Sequence, residues 1–426
     1  MKFHKLGHVL ALVLALLAAP GRSGSASLPP EPPSPGVPPA VSGEMQPKRA
    51  RLLFVGDLMV HQPQIDRAYR RKTKDYSFIP AFEKVKKYVT AADLAVGNFE
   101  TTLGGPKAGY RGYPCFSAPD AFADALADVG FDVLSTANNH CMDRRFPGLV
   151  RTLAQLKARS LDAVGTYAAS QDRETVLVRD VNGIKVAFLA WTYGLNGFKL
   201  PKGLEWGAAL LVSADEVSRD MARARALSPD FIVAMPHIGT EYVLEPPQFV
   251  IRQVDRLLEW GAGAVIASHP HVVQPMELRL PQKTASGDRP GGFVAWSMGN
   301  FISSQRTVPR DMGVMVQLDL EKSGDHTRVA AARAIPTWVQ ERPAKGPRVT
   351  RVLPLTEALV SPDLFALTLA DVKRLKSAHK DFTLRVLSAD VPIKSADLSY
   401  DLLPSSQDRF PLAPRKSGGS AARLKD

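Results

Sequence analysis

Short apolar runs alternate with stretches of helical spacing along the first part of the chain. The predicted strands lie at 51–55, 93–97 and 131–135, and the predicted helices at 79–91, 119–129 and 148–159. Strands that alternate with helices in this way are typical of a parallel sheet covered by helices. The pattern therefore predicts an α/β domain that begins near Arg51.

The pattern changes after residue 175. Two apolar runs, 176–178 and 186–189, flank Asn182-Gly183, a dipeptide that favours a two-residue β-hairpin. The elements predicted from there on are helices at 214–226 and 247–260 and strands at 231–234, 264–267, 293–297, 313–319 and 328–335. Since the last three strands have no long helices between them, we expect antiparallel strands to follow the early βαβ units.

The ends of the chain are organised differently. Residues 1–27 carry lysines, then an apolar run at 9–19, then small residues, which is the order of a secretory signal. The run is short for a membrane-spanning helix, so cleavage is favoured over anchoring through 9–19, and a periplasmic or extracellular location is expected. The remaining predicted segments are a Pro-rich linker at 28–50, the main domain at 51–345, a peripheral extension at 346–412 with one or two helices in 354–390, and a basic disordered tail at 413–426.

Charge and cysteine content narrow the choice of partners. The formal net charge of +12 favours an anionic partner such as a polymer or lipid headgroups, and a merely solvated basic surface is the alternative. Nucleic acid is disfavoured by the export signal and by the absence of an aromatic–basic motif. The two cysteines, Cys115 and Cys141, form either one disulfide or two buried free thiols, and their number excludes a four-cysteine zinc site.

Polar side chains follow six of the predicted strands, at the edge where functional residues of open α/β sheets gather. In chain order they are Asp57; Asn98 and Glu100; Asn138, Asn139, His140 and Asp143; His237 and Glu241; His269 and His271; and Asn300. One such residue is ordinarily a turn or capping residue, and a single histidine is ordinarily packed in the core. Six successive strand ends with such residues are better explained by a shared metal centre, because buried polar groups are unfavourable unless they are paired or coordinated.

The donor types indicate which metal the centre would hold. Carboxylate, amide and imidazole groups without a thiolate suit Mn, Zn, Fe or Ni. A bridging carboxylate with separate histidines suits one or two divalent ions, about 4 Å apart where there are two. His140, beside Asn139, would then act as a general acid or an electrostatic stabiliser rather than as a ligand.

These segments resemble the calcineurin-like metallophosphoesterases and, more closely, the CapA family of poly-γ-glutamate capsule synthesis proteins. The matching segments are FVGDLMV (54–60), LAVGNFETTL (94–103), STANNHCMD (135–143), MPHIGTEY (235–242), ASHPHVVQPME (267–277) and WSMGNF (296–301). They occur in the family's order between residue 51 and about residue 320. The resemblance implies an α/β fold with four αββα layers, in which two mixed sheets are flanked by helices.

The resemblance also implies roles for individual residues. The positions that match metal ligands are Asp57, Asn139, His237, His269 and His271, with Glu100 where the phosphoesterases usually place a bridging aspartate and His140 at the catalytic histidine. The first phosphoesterase motif is Asp-x-His, but this chain has Met59 at the histidine position, and His61 lies two residues further on. This departure fits the CapA pattern and weakens the prediction of an efficient phosphatase, since one metal position is expected to be weak or absent.

Four residues near these motifs have alternative interpretations. Glu241 and Tyr242 either face a substrate or belong to a surface loop. Asn300 either orients the site or forms a strand-end turn. Asp143 either supports a neighbouring histidine or caps the following helix, and Asn98 is grouped with these supporting residues.

Three functional hypotheses follow. The first is an exported CapA-like protein with a metallophosphoesterase-type metal site that acts in capsule or poly-γ-glutamate synthesis or export, with membrane polymer-synthase subunits as candidate partners. The second is a metal-dependent phosphoesterase or related hydrolase that acts on an extracytoplasmic substrate. The third is a non-catalytic module that binds an anionic polymer.

Overall fold

The computed structural model describes residues 46–284, 287–341, 343, 349–389, 391–392 and 398–403. Its strands are β1 (Lys48–Leu58), β2 (Tyr69–Arg70), β3 (Asp75–Tyr76), β4 (Leu94–Asn98), β5 (Val133–Ser135), β6 (Asp162–Val164), β7 (Leu177–Val181), β8 (Ile184–Thr192), β9 (Phe231–His237), β10 (Ala264–Ile266), β11 (Met276–Arg279), β12 (Gln282–Thr284), β13 (Gly287–Arg289), β14 (Gly292–Ala295), β15 (Asn300–Ile302), β16 (Met312–Ser323), β17 (His326–Gln340), β18 (Arg351–Pro354) and β19 (Tyr400–Asp401). Its α-helices are α1 (Gln62–Ala68), α2 (Ile79–Phe82), α3 (Lys86–Val89), α4 (Ala121–Val129), α5 (Arg145–Lys157), α6 (Ser170–Arg173), α7 (Ala214–Ala226), α8 (Gln248–Glu259), α9 (Leu355–Val360) and α10 (Leu369–Phe382). The predicted leader and the basic tail lie outside the described residues.

The larger of the two main sheets combines both predicted strand patterns. Its order is β18-β17-β16-β1-β4-β5-β6, with β15 beside β1 and β19 beside β17. Strands β1, β4, β5 and β6 are parallel neighbours, whereas β1, β16, β17 and β18 are antiparallel neighbours. The early βαβ units and the late antiparallel strands thus meet in one sheet, along the length of β1.

The second sheet has the order β11-β14-β10-β9-β8-β7. It opens with the predicted hairpin, in which Asn182 and Gly183 have φ angles of 54° and 79° between β7 and β8. Two consecutive positive φ angles are those of a type I′ turn, whose twist matches that of the flanking strands. The inner strands β8, β9, β10 and β14 run parallel, so their carboxyl ends lie at one edge.

The two sheets pack face to face, with helices on both outer sides. Phe54 of β1 belongs to the same buried cluster as Phe188 of β8. Val55, the next residue along β1, points to the opposite face and joins a cluster with Phe122 of α4, as the two-residue period of a strand requires. On the far side of the second sheet, α7 and α8 cover the strands. The four-layer αββα architecture is confirmed.

Two predicted boundaries differ from the structure. The helix predicted at 79–91 is divided into α2 and α3, because the N–H of Val85 bonds the carbonyl of Phe82 in a tighter turn between them. The last residues assigned to the linker already belong to β1, since Lys48 and Ala50 pair with β16 and Ala50 is buried.

The segment after residue 345 packs onto the large sheet. Strand β18 extends that sheet beside β17, and α9 and α10 are the two helices predicted within 354–390. Leu355 and Phe382 are fully buried in the cluster between the sheets. No helix in the described part of the chain combines the length and apolarity needed to span a bilayer.

Candidate metal centre

The strand ends bring the predicted site residues to one edge of the two sheets. In the register of the large sheet, Asp57 of β1 is opposite Asn98 of β4 on one side and Asn300 of β15 on the other. A glycine is needed just before Asp57, because a Cβ on Gly56 would lie 1.9 Å from the carbonyl oxygen of Gly299. This close backbone approach lets β15 lie directly beside the end of β1.

Glu100 lies at the centre of the site and is fully buried. Asn98 Nδ2 donates to Glu100 Oε2 at 2.9 Å and to Asp57 Oδ1 at 2.8 Å. The other oxygen, Oε1, has no hydrogen-bond partner and lies 3.7 Å from His237 Nε2 and 3.6 Å from His271 Nε2. A buried carboxylate oxygen therefore faces two imidazole nitrogens that lie too far away for a hydrogen bond.

Two sets of donors meet at Glu100. On one side, Asn139 Oδ1 is 2.9 Å from His237 Nε2, and His237 Nδ1 is 2.8 Å from Ser268 Oγ. On the other side, Asp57 Oδ2 is 2.9 Å from His271 Nδ1. Glu100 thus occupies the position between the two sets that a bridging carboxylate would take.

The His269-Pro270-His271 segment turns both of its histidines into the site. Their φ angles are 106° and 57°, a region that side-chain-bearing residues seldom adopt and that is concentrated at functional sites. Ligand atoms of Glu100, His269 and His271 all lie within 4.8 Å of one another. His269 Nδ1 is buried without a partner.

Electrostatics keep most of these imidazoles neutral. Burial, with nearby histidines, lowers the pKa of His237 well below its ordinary value and that of His269 to about 3. Burial and Asp57 raise the pKa of Glu100, and although burial opposes it, Glu100 and Asp57 raise the pKa of His271 to about 9. The Glu100–His271 pair therefore retains a proton at neutral pH, and a divalent cation would displace it.

His140 lies at the other side of Asn139 and is oriented by an acid. Its Nδ1 is 2.8 Å from Asp143 Oδ2, and both residues are buried. Asp143 Oδ2 also accepts from the backbone N–H of Phe116 at 2.6 Å. Of the two interpretations of Asp143, the structure supports the histidine contact.

The loop after β8 contributes two residues that the sequence analysis missed. The Tyr193 ring lies against His269, with centroids 4.5 Å apart, and parallel to the ring of His237 at 6.3 Å. Asn196 Oδ1 accepts from Asn139 Nδ2 at 3.2 Å, and Asn196 Nδ2 is 3.4 Å from His140 Nδ1. The strand-end rule applied to β8, as it was to its neighbours, would have found both.

The remaining predicted residues are also placed. Asn300 Nδ2 donates to the carbonyl of Arg310 at 2.8 Å and lies 3.3 Å from that of His271, so it does more than end a strand. Met59 is buried and offers no nitrogen or oxygen from its side chain. His61 precedes α1 and packs against Phe116 with ring centroids 5.1 Å apart, and burial lowers its pKa to about 4.

Both cysteines are free thiols. Cys141 is buried, which raises its pKa to about 12, and Cys115 is partly exposed. Neither thiol belongs to the donor set around Glu100.

The donor set fits a divalent metal ion. The unpartnered atoms Glu100 Oε1 and His269 Nδ1 are buried polar atoms of the kind that a cation would satisfy. Carboxylate, amide and neutral imidazole together suit the Mn, Zn, Fe or Ni class.

Known proteins are similar to this chain over most of its length. The PGA biosynthesis protein CapA of Bacillus subtilis (strain 168) is 26% identical over 309 residues, which cover 70% of this chain and 76% of that protein. The capsule biosynthesis protein CapA of Bacillus anthracis is 26% identical over 321 residues, 73% of this chain and 71% of that protein. Among solved structures, the calcineurin-like phosphoesterase YfkN of Bacillus subtilis overlaps 68% of this chain and 90% of its own, with a TM-score of 0.38 and 13% identity.

A family model described as bacterial capsule synthesis protein PGA_cap matches residues 51–305. This range contains every strand end of the site, from Asp57 to Asn300, and spans more than half of the chain. The resemblance seen in the sequence motifs is confirmed, and the chain belongs to the bacterial capsule synthesis protein family PGA_cap.

Proposed function

We propose that this protein is exported and acts in the synthesis or export of a poly-γ-glutamate capsule through a divalent metal centre. The observation that carries the proposal is that the family match encloses the whole donor set around Glu100. The two CapA relatives are described as PGA and capsule biosynthesis proteins, and this chain matches each of them over more than two thirds of its length. The basic composition suits an anionic polymer.

Different residues of the site would hold the metal ions and orient the ligands. Glu100, His269 and His271 would hold an ion on one side of the site, and Asn139 with His237 would hold a second on the other. A bound divalent ion supplies Lewis acidity and charge stabilisation. Asp57 orients His271 through their 2.9 Å contact, as carboxylate partners of metal-binding histidines do. Met59 adds no nitrogen or oxygen ligand beside Asp57.

The test is the metal content of the purified protein together with capsule formation. We expect metal to co-purify or to be restored by Mn²⁺ or Zn²⁺. His271→Gln should lose metal and fail to restore surface γ-glutamate polymer to cells that lack the gene. His326→Gln, an exposed histidine at the start of β17, is the matched control and should behave as wild type. Wild-type protein without metal after reconstitution would overturn the proposal.

A second candidate function, metal-dependent hydrolysis of an extracytoplasmic phosphoester, is favoured by one observation. His140, held 2.8 Å from Asp143, has the geometry of a general acid positioned by a carboxylate. His140 lies beside the donor set and is assigned a role in proton transfer rather than as a ligand.

Turnover of a chromogenic phosphodiester tests this second function. His140→Ala should abolish turnover while the metal content stays at the wild-type value. A metal-loaded wild-type protein with no turnover, and with polymer binding that survives a chelator, would instead support the non-catalytic polymer-binding module. Membrane polymer-synthase subunits as partners are part of the first proposal and are tested by co-purification from membranes.

A further inference from the structure

The loop after β9 and the loop before β16 meet beside His271. The guanidinium carbon of Arg310 lies 3.2 Å from the ring centroid of Tyr242, and the Tyr242 ring is 6.1 Å from that of His271. A guanidinium over an aromatic face is a cation–π pair. A positive charge is therefore fixed one aromatic ring away from a candidate metal ligand.

Backbone hydrogen bonds tie this pair to the histidine segment. The N–H of Tyr242, whose φ angle is 66°, donates to the carbonyl of Pro270 at 2.8 Å. Asn300 joins the carbonyls of Arg310 and His271, at 2.8 and 3.3 Å. A left-handed tyrosine is strained and persists only where its surroundings fix it. The position of Arg310 is thus set by the site itself.

Arg310 differs from two nearby arginines because its guanidinium has neither an acid nor a carbonyl partner among the residues that the structure describes. Arg374 pairs with Asp311 at 2.6 Å, and Arg306 donates to the carbonyl of Val339 at 2.7 Å. Arg310 is half-buried, and its described interaction is with the Tyr242 ring. Its N–H donors consequently remain available to a ligand, and a planar guanidinium suits a carboxylate in two-point contact.

The same ring also carries an acid at its edge. Glu241 is exposed, and burial together with the neighbouring Glu241 raises the pKa of the Tyr242 hydroxyl. A cation and a hydrogen-bond acceptor side by side match a ligand that presents both a carboxylate and an N–H. Each γ-linked glutamyl unit has a free α-carboxylate for the cation and an amide N–H for the acceptor, whereas a phosphodiester has no donor for Glu241.

We propose that Arg310, held on Tyr242, binds the free α-carboxylate of a γ-linked glutamyl unit and positions the neighbouring amide at the metal centre. This inference rests on the proposed function, since it names how that polymer is recognised. In this proposal Arg310 positions the ligand and selects it by charge, because Tyr242 alone lies between its guanidinium and the candidate ligand His271.

The test is binding of a fluorescent γ-linked oligoglutamate to the full metal-loaded chain. Arg310→Met should weaken the Kd by about 10- to 100-fold, the range of a charge-assisted contact. Arg310→Lys keeps the charge and should recover part of the loss. The matched control is Arg306→Met, because Arg306 lies in the same loop over the ring of Trp338, at 5.6 Å. It should change the Kd by less than about twofold, and all three variants should keep their metal.

Each other outcome has a definite meaning. Unchanged binding by Arg310→Met, or equal weakening by Arg306→Met, would overturn the inference and leave the proposed function standing. If inorganic phosphate displaces the oligomer from wild type but not from Arg310→Met, the subsite belongs to phosphate and the glutamyl assignment is wrong. Metal-loaded wild type that binds no oligomer would overturn the proposed polymer function, and this inference with it.

Discussion

Two buried carboxylates of this protein have opposite surroundings. Asp311 is 2% exposed and accepts from Trp338 Nε1 at 2.8 Å and from two Arg374 nitrogens at 3.0 and 2.6 Å. Glu100 is 0% exposed, accepts from Asn98 and keeps one oxygen without a partner. Both carboxylates are buried, but only Asp311 has an arginine as its counter-ion, whereas Glu100 faces imidazoles.

Asp220 repeats the first arrangement at the second sheet. It accepts from two Arg173 nitrogens at 2.7 and 2.8 Å and from Trp191 Nε1 at 2.7 Å. Structural acids in this fold are thus neutralised by an arginine and a tryptophan. The acid surrounded by histidines lacks such a partner, and this difference identifies Glu100 as the acid that receives a cation from outside the chain.

The largest expected effect concerns the structural acid. Asp311→Ala should lower the free energy of unfolding by about 3–5 kcal/mol. It removes the nearer counter-ion of the half-buried Arg374, which then keeps Asp381 at 4.0 Å, and the acceptor of Trp338 Nε1. Urea unfolding in the presence of a chelator measures the change. Asp319→Ala is the control, since Asp319 pairs with Arg51 at 2.8 Å in a more exposed place, where such pairs contribute about 1 kcal/mol or less. Equal losses in the two variants would remove the distinction between buried and exposed acids.

The next effect concerns Glu100, whose replacement should change the free energy of unfolding in opposite directions with and without metal. At a metal concentration of about 100 times the Kd, the ion should stabilise wild type by about 2.7 kcal/mol, and Glu100→Gln should lose that gain. In chelator, however, Glu100→Gln should be at least as stable as wild type. A Gln amide can donate to the imidazole nitrogens that lie 3.6 and 3.7 Å from Oε1, and it removes a charge whose ionisation is disfavoured by burial.

Thermal unfolding with and without metal checks both signs. Glu321→Gln, which alters an acid paired with Arg49 at 3.0 Å on the other part of the sheet, should keep the full metal effect. If Glu100→Gln were destabilised in chelator as strongly as Asp311→Ala, Glu100 would be a structural acid and the comparison would fail.

The sequence predicted that these residues lie together because they follow strands whose limits are readable. Parallel strands place their carboxyl ends at one edge, so Asp57, Asn139 and His237 were expected together before any distance was known. Tyr193 and Asn196 follow the same rule but come four and seven residues after the last apolar residue, Leu189, that marked the end of the predicted strand. Strand β8 continues to Thr192, and its misplaced end concealed them.

Other features depend on tertiary contacts that no local pattern encodes. Arg374 of α10 reaches Asp311, and Arg385 donates to the carbonyl of Val273 at 3.0 Å, two residues beyond His271. The sequence offered only helical spacing in this segment, without a motif. The contacts by which this C-terminal segment supports the loops that carry Arg310 and His271 depend on how its helices pack against the sheet, which the sequence does not specify.

The smallest expected effect concerns Tyr193. Its ring packs against His269 and His237, an aromatic contact that distinguishes the surroundings of Glu100 from those of Asp311 and Asp220. Tyr193→Leu should weaken the metal Kd by about fivefold, because an aromatic pair contributes about 1 kcal/mol beyond its buried area. Tyr193→Phe keeps the ring against His269 and should stay within about twofold of wild type. Isothermal titration with Mn²⁺ measures both. If both variants bind as wild type does, the ring does not position His269. If both are equally weakened, the hydroxyl of Tyr193, rather than ring packing, sets the geometry of the donors.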